Sequence, residues 1–282
     1  MTKDEQPSYY ITSDQSLFSI PLKEVWAYRD LLLMLVKRDF ITFYKQTILG
    51  PLWFIIQPLM TTAIFMILFG SIAKLSTDGM PQILFYLSGV TIWSYFSESL
   101  TKTSTVFKDN AAMFGKVFFP RLIMPISIVV SALMKFTVQF AIFIIVWLYF
   151  LIFTDTIQPN IWILFTPVLV LLMAMFALGM GMIFSAMTTK YKDLAFLLTF
   201  GIQLFMYVTP VVYPTSALPE KLKFFVFLNP LSSIFEGFRY AFLGSGNFDI
   251  MNIMWSALFI TVILVIGTII FNKVEKSFMD TV

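Results

Sequence analysis

The chain of 282 residues and 32.4 kDa is 59 % apolar types and only 12 % Asp, Glu, Lys and Arg, with a mean hydropathy of +0.85. Soluble domains hold roughly 45–50 % apolar and about 25 % charged residues, so the natural solvent of this sequence is a bilayer. Lack of Cys and His removes Cys/His metal centres, thiol nucleophiles and imidazole acid–base chemistry. A net charge of +3 is too small and too dispersed for a nucleic-acid surface.

In chain order, residues 1–21 read as a polar cytoplasmic tail, with Asp4, Glu5 and Asp14 where a cleavable secretory signal would be apolar. Residues 22–46 mix Trp26, Leu33, Phe40 and Tyr44 with Lys23, Arg29, Lys37, Arg38 and Lys45 at helical spacing. That is the pattern of an amphipathic helix in the headgroup plane, and a plain surface anchor fits it equally well. Gly50-Pro51 marks the turn into the first span.

Charge-free windows lie between Lys45 and Lys74, Asp78 and Glu98, Asp155 and Lys190, Asp193 and Glu220, and Asp249 and Lys273. Each meets the roughly 20 residues a helix needs to cross the hydrocarbon core. A further stretch, Leu122 to Phe153, is broken only by Lys135. The fold class is therefore all-α and membrane-integral, with six spans near 51–73, 83–103, 122–153, 161–187, 194–213 and 252–272. Between spans two and three, the basic segment 102–121 predicts a short cytoplasmic helix over Thr105–Lys116, with Pro120 opening the next span. An ordinary inside loop is the competing reading. The apolar segment 214–251, interrupted by Pro219, Asn229-Pro230 and Gly237, predicts a pair of short helices dipping into the outer leaflet.

With the N-terminus inside, most Lys and Arg fall in inner segments, and Lys74, Lys221, Lys223 and Arg239 fall outside. Both termini are expected in the cytoplasm. Glu98 and Lys135 are the charges expected at membrane depth, each near the inner end of its span and able to snorkel. A phosphate-binding G-x-x-x-x-G-K-[ST] loop is absent from the chain. Two polar-aromatic stripes recur at helical spacing: Phe54, Pro58, Thr61, Thr62, Phe65 and Phe69 in span one, and Phe196, Phe200, Gln203 and Tyr207 in span five. Rings beside hydroxyl and amide groups suit sugars, although Phe is also abundant enough here to form stripes for packing alone. Ala177, Gly181 and Ser185 form a ladder of small residues that favours close helix packing.

Four stretches together resemble the permease subunits of ABC type-2 polysaccharide exporters, the family that exports O-antigen, capsule and teichoic-acid chains. The first carries Arg38-Asp39, Tyr44-Lys45, Leu49-Gly50, Trp53 and Pro58, and the second Asn110, Lys116, Phe119-Pro120-Arg121 and Pro125. The third carries Tyr191, Asp193, Pro210 and Tyr213, and the fourth Asn229-Pro230 and Arg239. Phe43 departs from a usual basic residue, and Phe119 and Leu122 are milder departures.

The resemblance covers the chain from about residue 22 and implies one ABC type-2 transmembrane domain over 22–282. It implies an interfacial helix with Arg29, Arg38, Asp39, Tyr44, Lys45, Leu49 and Gly50 beside a separate ATPase. A coupling segment with Lys108, Asp109, Asn110, Lys116, Pro120 and Arg121 would dock on that ATPase. Asn229, Pro230, Glu236 and Arg239 would belong to an outer gate. Phe54, Thr61, Thr62, Phe65, Phe69, Phe196, Phe200, Gln203 and Tyr207 would line a substrate path in a homodimer. ATP and Mg would sit on two copies of the ATPase, and this chain would bind no cofactor and catalyse no reaction. The expected substrate is a lipid-linked polysaccharide crossing the cytoplasmic (inner) membrane among membrane lipids. Two rivals remain at this point: a type-2 exporter of small lipophilic molecules, and an ion-coupled carrier using Glu98 and Lys135.

Overall fold

The computed structural model describes residues 22–45, 49–114, 119–191, 193–246 and 248–279. The 1–21 tail, Lys116 and the side chains of Phe43 and Tyr44 lie outside the described set. The described residues form helices α1 (Leu22–Ala27), α2 (Arg29–Lys45), α3 (Trp53–Phe65), α4 (Gln82–Ser104), α5 (Val106–Asp109), α6 (Ala111–Phe114), α7 (Ile123–Phe153), α8 (Thr166–Lys190), α9 (Leu194–Val208), α10 (Glu220–Leu228), α11 (Pro230–Leu243) and α12 (Ile250–Met279). A π-helical segment, Met66–Ile72, prolongs α3, and a 3₁₀ segment, Ile161–Phe165, leads into α8.

Four helical stretches are long and apolar enough to cross a membrane: Trp53–Ile72, Ile123–Phe153, Ile161–Lys190 and Ile250–Val274. The second expected span appears as α4, long enough but less apolar, because it holds Ser88, Thr91, Glu98, Ser99, Lys102 and Thr103. Helix α4 packs against α3, α7, α8, α9 and α11, so most of its faces meet protein rather than lipid and polar side chains are tolerated there. The fifth expected span is shorter than its charge-free window. Helix α9 ends at Val208 because Pro210 biases Thr209 away from helical geometry, and Thr209 is extended, with φ −87° and ψ 142°.

The amphipathic segment is broken at Tyr28 into α1 and α2, and the turn beyond it places Gly50 at φ +48°, a conformation glycine adopts without strain. Within the segment expected as one helix over Thr105–Lys116, the described residues form two four-residue helices. Asn110 interrupts them, its side-chain amide donating to the Val106 carbonyl at 3.0 Å and drawing off the end of α5.

Small residues set the closest crossings. The Ala177–Gly181–Ser185 ladder is buried, and a Cβ on Gly181 would stand 2.6 Å from the Thr103 side chain of α4. On the other side of α8, a Cβ on Gly179 would stand 2.8 Å from the Leu264 backbone, and Gly267 of α12 lies against Gly179.

Helix α11 lies in the segment expected to hold a pair of short helices, and Glu236 and Arg239, expected at an outer gate, are 2 % and 1 % exposed. The α11 start is capped by the Asn229 side chain, which accepts from the Leu231 N–H at 3.0 Å, with Pro230 in the first turn, and Gly244 at φ +76° ends the helix. Arg239 donates to the carbonyls of Pro210 at 2.7 Å and Val211 at 2.6 Å, stacks 3.8 Å over the Phe85 ring and lies 3.9 Å from Glu236. Gly89 makes the room: a Cβ there would stand 2.6 Å from the Val211 oxygen. A buried charge is tolerated because these partners replace its water.

Two outcomes are expected. Gly267→Val should force α8 and α12 apart, costing about 1–3 kcal/mol and lowering the unfolding midpoint in detergent, whereas Gly201→Ala, with open space around it, should not. Arg239→Ala should cost about 3–5 kcal/mol by leaving Glu236 and two carbonyls without their cation, with Arg239→Lys only partly restoring the midpoint because it lacks the two-pronged donor set.

Candidate functional site

A cavity of about 560 Å³ opens between α3, α4, α7 and α9. Its α4 wall presents Ser94, Ser97, Glu98, Thr101 and Lys102, which the helical repeat places on one face. Gln57, Thr61 and Phe65 contribute from α3, Lys135 from α7 and Gln203 from α9, with Trp93 adding a second ring. The hydroxyls of Ser94, Ser97 and Thr101 and the side-chain amides of Gln57 and Gln203 make no hydrogen bond with the described residues. The wall therefore combines open hydrogen-bonding groups with aromatic surface.

Its charged part is a triad. Glu98 pairs with Lys102 at 2.7 Å through one carboxylate oxygen and with Lys135 at 2.8 Å through the other. Lys135 also lies 5.6 Å from the Phe54 ring centroid, so one side chain of α7 reaches both α4 and α3. The two charges expected at membrane depth thus meet each other.

Of the expected path residues, Thr61, Phe65 and Gln203 come together around this cavity. Phe54 and Thr62 are buried, and Phe69 is half-buried against the bundle, so the α3 stripe is that helix's inward side. The α9 stripe turns the other way: Phe196 is 81 % exposed, and Phe200, Gln203 and Tyr207 are exposed with it. Among the described residues, Gln203 is the α9 stripe residue that lines the cavity with Thr61 and Phe65 of α3. The α4 row of Ser94, Ser97 and Thr101 was not among the expected residues. Its signal was polar residues at i, i+3 and i+7 inside an otherwise apolar stretch.

At the α5–α6 end, Lys108 and Asp109 are exposed, Asn110 and Pro120 are half-buried, and Lys116 is outside the described residues. Arg121, expected as an offered surface charge, is only 4 % exposed and lies 5.3 Å over the Phe114 ring. It is held there by an aromatic cluster in which Phe107 stacks on Phe271 of α12 at 4.6 Å and Phe114 stacks on Phe119 at 5.9 Å. Sequence spacing alone gives no sign of that long-range ring contact.

Helix α2 buries Leu35 and Val36 and runs beside α7, where Ser131 donates to Asp39 at 3.4 Å. Arg38 pairs with Asp39 at 2.7 Å, Arg29 lies 5.9 Å from the Trp26 ring, and Lys45 and Leu49 are exposed. Trp26, Leu33 and Met34 stay exposed beside Arg29, Lys37 and Arg38, a mixed apolar and basic face.

Comparison with known proteins accounts for the same segments. The O-antigen export system permease protein RfbA of Klebsiella pneumoniae is 29 % identical over 254 residues, covering 89 % of this chain and 94 % of that protein. The protein of the same name from Myxococcus xanthus is 25 % identical, covering 93 % and 98 %. The polysialic acid transport protein KpsM of Escherichia coli is 24 % identical, covering 86 % and 93 %. The ABC-2 type transporter family model matches residues 30–243, from the start of α2 to the last residue of α11, and the chain belongs to that family.

Proposed function

We propose that this chain is the membrane subunit of an ATP-driven exporter that moves a lipid-linked, O-antigen-like polysaccharide across the cytoplasmic membrane. The relatives named for O-antigen and polysialic acid support the substrate class. The observation that carries it on the molecule is the cavity, where unpaired hydroxyl and amide groups stand beside Trp93 and Phe65. Such a wall gives each sugar a ring face and a hydrogen-bond partner without a closed, shape-specific pocket.

In this reading α3, α4, α7, α8, α9 and α12 are the six spans, both termini are cytoplasmic, and α10 and α11 form the gate on the outer side. Two copies of the chain assemble with their α3 and α9 helices flanking the path, which gives the exposed Phe196, Phe200 and Tyr207 rings a partner. Two copies of a separate ATPase carry ATP and Mg. Their closure presses on α5 and α6 through Lys108 and Asp109, and the Phe107–Phe271 stack passes the displacement to α12.

No bond is made or broken by this chain. The carrier alternative draws on the Glu98–Lys135 pair, but the Glu98 carboxylate is already held by two lysines, Lys102 and Lys135.

Purification of the tagged chain from its native host in mild detergent should co-elute a P-loop ATPase, two per two permeases, by mass spectrometry. Its absence would remove the ATP-driven reading. Lys108→Glu should leave that complex folded and reduce export by at least tenfold relative to ATP hydrolysed, read as glycan retained inside the cell, and normal export would refute the docking role. Because the chain has no cysteine, single replacements report proximity without background. Phe200→Cys should cross-link two copies on oxidation and Met254→Cys on α12 should not. The reverse result would place the dimer contact elsewhere.

A further inference from the structure

The Glu98 triad has a surplus of charge. Two ammonium groups share one carboxylate, leaving a net +1, with the Lys135 side chain 16 % exposed and the Lys102 side chain, at the open edge, 55 % exposed. The cavity wall has no other ionised residue. On the neighbouring α2, Arg38 and Asp39 neutralise each other, so the surplus is not cancelled from that side either. An excess cation half-withdrawn from water is costly unless an anion joins it.

The donors are also in excess. Each lysine has three N–H groups and spends one on Glu98, so four remain beside the three unpaired hydroxyls of Ser94, Ser97 and Thr101. A neutral sugar has no charge to offer these ammonium groups. A tetrahedral oxyanion does, and its several oxygens span two cations held on opposite oxygens of one carboxylate better than a flat carboxylate would.

We infer that the Glu98–Lys102–Lys135 end of the cavity seats a phosphate ester. This rests on the export reading and deepens it: a lipid-linked cargo would present a hydrocarbon chain, a charged link and then sugars, and this seat would hold the charged link. The same chemistry is carried by the headgroup of an anionic phospholipid, so the source has to be separated by experiment. Glu98 serves as a spacer that holds the lysines apart and lowers their affinity enough for the anion to leave.

The test uses the purified full-length chain in neutral detergent, with binding followed by native mass spectrometry. The probes are dodecyl phosphate, dihexanoylphosphatidylglycerol and, as the uncharged control, dodecanol. Dodecyl phosphate should bind and dodecanol should not compete with it. Lys135→Gln, which leaves Glu98 paired with Lys102, should weaken phosphate binding by about tenfold or more. Glu98→Gln, which raises the net charge to +2, should strengthen it.

Opposite signs for the two variants are required, since a merely structural triad would lose binding in both. Equal loss in both, no change in either, or equal binding of dodecanol overturns the seat. Preference for dodecyl phosphate over phosphatidylglycerol, with this charge dependence, supports the cargo's link as occupant. Equal response to both supports the seat and gives it to membrane phospholipid as well. The assay needs no ATPase and no export. Failure here therefore leaves the exporter reading standing, and a missing ATPase leaves this result standing.

Discussion

A guanidinium with almost no access to water must find its partners within the protein, and Arg239 draws three separate segments into that task. The Pro210 and Val211 carbonyls are available because Pro210 stops α9, and Phe85 offers a ring face from the first turn of α4. Gly89 removes the Cβ that would keep the Val211 carbonyl away, and Glu236 supplies the countercharge one turn along α11. The two carbonyl contacts are directional and short, so the end of α9 is locked to α11. The end of α9 cannot shift by an ångström without giving up two charge-assisted hydrogen bonds.

The opposite end is held by different physics. Phe107, Phe114, Phe119 and Phe271 pack by dispersion and area, with Arg121 over one ring. Ring contacts of this kind lose little when helices slide by a fraction of a side chain, which is the behaviour of a shear joint. A force applied at α5 and α6 therefore has a compliant route into α7 and α12. At the far end it meets a joint that yields only as a whole. The π-helical segment Met66–Ile72 after α3 interrupts the regular hydrogen-bond ladder of that helix.

Charge-poor windows coincide with the four helical stretches that are long and apolar enough to cross a membrane among the described residues, because lipid imposes a length and a composition together. Composition is a weaker guide where protein replaces lipid as the neighbour. Helix α4 is polar because it is encircled, and α11 is buried although it carries Glu236 and Arg239, since a short helix enclosed by others is not required to look like a span. The α3 stripe was legible as a face, but helical period cannot tell an inward side from a path-facing one, and Phe54 and Thr62 are buried within the single chain. Arg121 was misplaced for a related reason: a basic residue next to Pro120 reads as surface until the Phe114 ring beneath it is seen. The Ser94–Ser97–Thr101 row was legible in principle, as polar residues at helical spacing in an apolar stretch.

A path for a polymer has two requirements that pull against each other. Successive units must slide, so each wall contact has to be weak, and neutral hydrogen bonds contributing about 0.5–1.5 kcal/mol each satisfy that. Yet a chain that slides freely has no preferred end, so direction must come from one stronger contact at one place. Hydrogen bonds to charged groups contribute roughly 1.5–3 kcal/mol, enough to favour one end of the cargo without making its release slow. The cavity holds both kinds of group: hydroxyls, amides and rings on its α3, α4 and α9 walls, and the lysine pair where α4 and α7 meet. Placing Glu98 between the lysines keeps the strong contact from becoming a trap, because the anion must always share its cations with a resident carboxylate.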